Sequence, residues 1–241
     1  MTSRSADDLA RFDLLERILH WTTAAMFAVL MLTAVPLYLG SVSSIIGRRA
    51  LVADIHTWTG VALPAPLVAS LVGPWGRRLR ADVRRFSRWS DQELRWLRTL
   101  GRQGVTRMGK FNPGQKLNAV FVAGSIVVML GTGAILRWFG PFPVSWRTGA
   151  TFVHDVLATA IFVVVAGHVT FALTHRDALK SMFTGRISRR WARRHAPAWL
   201  DEVHDGGDRK NGAVPAERAA QIPRGRRELS QPSRATAQRK A

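Results

Sequence analysis

Four long apolar blocks decide what this chain can fold into: approximately Leu14 to Leu39, Val52 to Val72, Lys116 to Arg137 and Gly149 to Thr174. Each can cross a hydrocarbon core of about 30 Å, which takes about 20 helical residues. Within hydrocarbon every backbone polar group must be paired inside the segment, so apolar runs of this length specify helices. The expected fold is an all-α integral membrane four-helix bundle. Pro64 and Pro66 interrupt the second block, where a helix must bend or have its freed carbonyls satisfied by neighbours. The first block is longer than a signal-peptide apolar region and follows charges of both signs, so it reads as a retained helix.

Whole-chain averages hide this pattern. Mean hydropathy is +0.00 because 35 Lys and Arg against 16 Asp and Glu lie almost wholly between and after the apolar blocks. A nucleic-acid module would carry such an excess on a folded basic face, so membrane lipid and not nucleic acid is the expected surroundings. Lys and Arg stay cytoplasmic during insertion. The connection from Arg77 to Lys110 and the segment from Arg176 to Arg194 are the arginine-rich ones, whereas the other two connections hold only Arg48, Arg49, Arg137 and Arg147. Both termini are therefore expected in the cytoplasm, with residues 1–13 as a short cytoplasmic segment and 14–202 as the membrane domain. Ser90 and Glu93 have capping-box spacing ahead of Leu94, Leu97 and Leu100, which predicts an interfacial helix. Trp75, Trp89, Trp96, Trp138 and Trp146 sit at expected membrane boundaries. From Val203 the chain turns polar, and a disordered basic tail is expected over 203–241.

The chain has no cysteine, which excludes disulfides, thioether-linked haem, zinc fingers and any iron–sulfur cluster held by this chain. Four histidines fall inside the spans: His20, His56, His154 and His168. An imidazole in a membrane calls for a hydrogen-bond partner or a ligand, and a single one is more often a bond between helices. Their joint placement changes that balance. His154 and His168 are fourteen residues apart on one helix, a rise of about 21 Å and about 40° short of four turns, so they project from nearly one face. His56 shares the depth of His154, about four residues inside the far end. His20 shares the depth of His168, near the cytoplasmic end. Two imidazoles at each of two levels are what two haems need, one nitrogen on each side of each porphyrin, with irons about 20 Å apart. Gly60, Gly124, Gly131, Gly133 and Gly167 leave room between helices, though small residues also simply pack them. Arg17 at one end, and Arg48, Arg49 and Arg147 at the other, are candidates to neutralise propionates. His175 falls at the surface and is read as non-ligating.

Arg17-Ile18-Leu19-His20-Trp21, Ile55-His56-Thr57-Trp58-Thr59-Gly60, Gly109-Lys110-Phe111-Asn112-Pro113-Gly114-Gln115-Lys116 and the run Leu179 to Ala192 resemble the membrane cytochrome b, or gamma, subunits of respiratory formate dehydrogenases. The resemblance spans roughly Arg11 to Trp199. It implies that His20 with His168, and His56 with His154, ligate two b haems, the pairing that depth gives independently. It also implies a quinone site, for menaquinone or ubiquinone, beside the cytoplasmic haem, with Asn112, Gly114 and Gln115 contributing. The same tripeptide region also reads as a turn into the third helix. The implied partners are an iron–sulfur beta subunit and a molybdopterin catalytic alpha subunit in a hetero-oligomer of the bacterial inner membrane. A cytochrome subunit of a hydrogenase or another molybdoenzyme, and a non-haem membrane transporter, are the competing readings.

Overall fold

A computed structural model describes residues 7–99, 102 and 107–210. A three-residue strand, β1 (Asp8–Ala10), leads to the first long helix, α1 (Leu14–Tyr38). Asp13 starts α1 with a reciprocal box: its carboxylate accepts from the Glu16 N–H at 2.8 Å, and Glu16 Oε2 accepts from the Asp13 N–H at 2.7 Å. Two of the four unpaired donors at a helix start are thereby satisfied. At the other end, Arg49 donates to the carbonyls of Pro36 at 3.3 Å and Leu37 at 3.0 Å, so a side chain closes the last turn.

A short helix, α2 (Gly40–Ile46), turns at Gly47, whose φ of 66° is the left-handed geometry glycine adopts without strain. The second apolar block forms two helices in line, α3 (Arg49–Ala62) and α4 (Ala65–Val72). Pro64 stands at the α4 cap position and Pro66 in its first turn, so the prolines end one helix and start the next, sparing a continuous helix the loss of internal hydrogen bonds. Together Arg49–Val72 have the length and hydropathy of a span.

Two amphipathic helices follow, α5 (Arg77–Ser87) and α6 (Asp91–Arg98). The expected box at α6 is present: Ser90 Oγ accepts from the Glu93 N–H at 3.3 Å, and Glu93 Oε2 accepts from the Ser90 N–H at 2.9 Å. The third and fourth spans are α7 (Pro113–Arg137) and α8 (Val144–Thr174). α8 begins five residues before the expected Gly149, because Pro143 supplies an extended cap and the polar first turn is helical too. After it come α9 (Arg176–Thr184), β2 (Arg186–Ser188), α10 (Arg189–His195) and α11 (Pro197–Lys210).

The purely helical expectation needs one correction. β1 and β2 pair antiparallel, with Asp8 opposite Ser188, Leu9 opposite Ile187 and Ala10 opposite Arg186. Leu9 and Ile187 bury one face of this clasp against Ala192, Ala196, Trp199 and Leu200. Gly185 makes the turn possible: its φ is +75°, and its carbonyl accepts from the Arg11 and Phe12 N–H groups at 2.9 and 3.1 Å. The tail boundary at Val203 falls inside α11, which continues as helix to Lys210; residues 211–241 lie outside the described residues. Close backbone packing between spans joins α1 to α3, α3 to α7 and α7 to α8.

Candidate functional site

The four span histidines meet in the two pairs that depth predicted. His20 on α1 and His168 on α8 have ring centroids 6.3 Å apart, and His56 on α3 and His154 on α8 have theirs 6.4 Å apart. Neither α1–α8 nor α3–α8 is among the closely packed helix pairs. Each imidazole pair therefore spans a gap between helices.

The gap has the dimensions of a six-coordinate metal. A bond of about 2.0–2.1 Å from an imidazole nitrogen to a metal on each side sets the ring centroids roughly 6 Å apart. Two imidazoles are too few ligands for a bare transition ion, and among the described residues no group of three or more histidine or acidic side chains gathers to hold one. A porphyrin supplies the other four nitrogens itself and asks only for two axial ligands. The residues present fit haem.

The far pair carries a second layer of positioning. Thr33 Oγ1 lies 2.9 Å from His56 Nδ1, and Thr132 Oγ1 lies 2.9 Å from His154 Nδ1. Each hydroxyl has one proton, and each already donates back along its own helix, Thr33 to the Val29 carbonyl at 2.7 Å and Thr132 to the Val128 carbonyl at 2.8 Å. With that proton on the helix carbonyl, the hydroxyl oxygen is free to accept from Nδ1–H, the tautomer that leaves the Nε2 lone pair for a metal. These threonines come from α1 and α7, so all four spans contribute to the far pair. Gly133 lies beside it: a Cβ added there would sit 3.5 Å from His154 Cε1. At Gly124, Gly131 and Gly167 an added Cβ meets nothing within 4 Å, and at Gly60 it meets Leu30 at 3.7 Å.

At the basic end, charges from three separate segments are buried together. Lys110 Nζ bonds Glu16 Oε1 at 3.1 Å and pairs with Asp82, and Arg85 holds the other oxygen of Asp82 at 2.6 Å. Arg11 donates to the Lys110 carbonyl at 3.2 Å and lies 4.5 Å from the Trp191 ring. Burial pushes the Arg11 pKa down to about 10 against the pull of Asp82. A second buried pair joins Lys116 to Glu93 at 2.6 Å, and Lys116 also donates to the Arg88 carbonyl at 2.9 Å. Burying a charge is costly unless it is paired, and Lys110 and Lys116 each meet two acceptors here.

Asn112, Gly114 and Gln115 sit between these two ion pairs. Asn112 Oδ1 accepts from the Gln115 N–H at 2.8 Å and Gln115 Oε1 accepts from the Asn112 N–H at 3.0 Å, the box that starts α7. Gly114 faces Trp96, whose ring an added Cβ would meet at 3.8 Å. Both amide oxygens thus serve the helix start, leaving the NH2 groups for other work. His175 hydrogen-bonds the Phe171 carbonyl at 2.9 Å and stacks on the Phe171 ring at 3.9 Å, as expected of a surface imidazole.

Sequence reasoning missed Thr33, Thr132 and the Lys110–Glu16–Asp82 cluster. Lys110 and Lys116 stood inside the motif before the third span without a role. The signal that identifies them is their position beside a membrane boundary, where a lysine on a buried face requires a carboxylate.

Residues 11–185 match the family model described as prokaryotic cytochrome b561. The cytochrome b556(fdo) subunit of formate dehydrogenase from Escherichia coli K12 is 27% identical over 85% of this chain and 97% of its own length. The cytochrome b556(Fdn) subunit of the nitrate-inducible formate dehydrogenase of the same organism is 22% identical over 84% of this chain and 94% of its own. The formate dehydrogenase cytochrome b556 subunit of Haemophilus influenzae is 24% identical over 77% and 79%.

Proposed function

This chain belongs to the prokaryotic cytochrome b561 family, and we propose that it is the membrane cytochrome b subunit of a formate dehydrogenase. As a cytochrome b it binds haem b in a multi-pass membrane bundle. It carries electrons from a partner iron–sulfur subunit through two b haems to a quinone. One observation supports this reading above the others: two imidazole pairs at two levels, with centroids 6.3 and 6.4 Å apart. Haem b held by these histidines would supply one-electron transfer.

The chain's own groups have distinct tasks. His20 and His168 hold the haem at the basic end, and His56 and His154 hold the other. Thr33 and Thr132 orient the far pair. The arginine-rich segments support a basic end that faces the cytoplasm, in a bacterial inner membrane. There Asn112, Gly114 and Gln115 form the quinone site, with the two amide NH2 groups as donors to a quinone carbonyl. The ion pairs of Lys110 and Lys116 hold this loop against α1, α5 and α6. A chain without cysteine holds no cluster, so the cluster-bearing subunit and a molybdopterin catalytic subunit are the partners required.

The test is haem stoichiometry in the purified complex by reduced-minus-oxidised spectra. Two b haems per chain are expected, one in His56→Ala and one in His168→Ala, with donor input blocked in the former and quinone reduction in the latter. A wild-type count of zero or one, or unchanged content in both variants, refutes the assignment.

A further inference from the structure

Resting on the two-haem reading, we infer that Arg17 and Arg147 are the carboxylate anchors of the two haems, each binding the propionates at its own end of the bundle. Three side-chain nitrogens are buried without a hydrogen-bond partner among the described residues: Nε of Arg11, Arg17 and Arg147. Arg11 is otherwise engaged, through the Lys110 carbonyl and the Trp191 ring. Arg17 and Arg147 have no ion pair or side-chain hydrogen bond at all among those residues. Both residues are half-buried with Nε sealed from water, and a guanidinium left in that state lacks a bidentate anion, the partner its fork geometry fits.

Their positions say which anion. Arg17 precedes His20 by one turn of α1, about 4.5 Å nearer the basic end and within about 60° of its face. Arg147 precedes His154 by two turns of α8, about 10 Å nearer the far end and within about 20° of its face. Each cation therefore lies between its imidazole pair and water. A b haem bears two carboxylates on one edge, and charge in a bilayer turns toward the aqueous side.

The nearby acids are otherwise engaged, Glu16 with Lys110 and the Asp13 N–H, and Asp13 with the Glu16 N–H. Arg49 closes α1, which removes it from the candidates for this role. Both guanidinium groups rest on shelves. Arg17 packs against the Gly185 turn, where an added Cβ would meet Nη1 at 3.3 Å, and Arg147 lies 5.6 Å from the Phe139 ring centroid.

Removing a cation near an iron favours the more positive, oxidised state and lowers its potential. Redox titration of the haem bands in the whole complex, with Arg17→Gln and Arg147→Gln, tests the assignment. The single-haem variants His56→Ala and His168→Ala identify which band belongs to which pair. Arg147→Gln should shift the His56–His154 haem by about tenfold in its reduction equilibrium, about 59 mV for one electron, and leave the other in place. Arg17→Gln should do the reverse, and Lys at either position should restore most of the shift. If a Gln variant loses its haem outright, retention in the Lys variant sustains the charge role and loss in both overturns it. Two retained haems with unmoved potentials, or equal shifts of both haems in each variant, also overturn it. A wild-type count other than two would instead overturn the reading on which it rests.

Discussion

Thr33→Val removes one oxygen and keeps the shape of the side chain, so it isolates what that oxygen does for His56. In the native chain the hydroxyl donates to Val29 at 2.7 Å and lies 2.9 Å from His56 Nδ1, placed to accept from its N–H. Valine takes this acceptor from His56 and frees the ring to turn. Losing such an outer partner lowers metal affinity by about 10–100-fold, or about 1.4–2.8 kcal/mol. Thr132→Val acts on the opposite imidazole of the same pair, through its own 2.9 Å contact to His154. Haem loss to an excess of a haem-scavenging apo-globin, followed by absorbance, gives the assay. On the two-haem proposal, one haem should leave about 10–100-fold faster in either variant while the other, assigned to His20 and His168, keeps its native rate. Thr159→Val is the control, because Thr159 donates only to the Asp155 carbonyl at 3.0 Å. If both haems leave faster, or neither does, the tautomer argument is wrong.

Lys110→Met strands the buried carboxylate of Glu16, leaves Asp82 with Arg85 alone, and should destabilise the bundle by about 3–5 kcal/mol, measured by denaturant titration of the haem bands. Adding Asp82→Asn and Glu16→Gln should recover most of the loss; no recovery would mean the lysine acts through packing alone. Asn112→Ala or Gln115→Ala should cost about 1 kcal/mol through the lost cap and slow haem reoxidation by quinone while leaving reduction by the donor unchanged. Equal slowing of both would leave only the cap. Gly185→Ala places a Cβ 2.5 Å from the Phe12 carbonyl at a φ of +75°, so the β1–β2 clasp should open first under limited proteolysis near Asp8, whereas native resistance there would refute the strain.

The spans were legible because a membrane helix is written in one property over many residues, and only their ends moved. Ends depend on local groups such as Pro143, Asn112 and the Pro64–Pro66 break, which hydropathy does not read. The histidine pairs were legible for a related reason: rise per residue converts sequence position into depth, and shared depth picks partners. Thr33 and Thr132 were not, since a threonine bonding back to its own helix is ordinary. Only the rotation of α1 and α7 against α3 and α8 aims these two at imidazoles. The Lys110 cluster draws on residues from three segments, whose meeting no local pattern announces. Asn112 and Gln115 show the opposite hazard: their spacing carries a capping function that a functional motif can equally well contain. Strands of three residues show too little alternation to be read, so the β1–β2 pairing stayed hidden.

Both imidazole pairs take their second member from α8, and the clasp joins Asp8–Ala10 to Arg186–Ser188. On the ribosome, His20 and His56 emerge early and wait for most of the chain to be made before a partner exists. A nascent chain that stops at α7 has no completed pocket of either kind. A group clamped by either pair would therefore be held only once α8 is in place, and until then the early spans have the packing of α1 on α3 and α3 on α7 to keep them together.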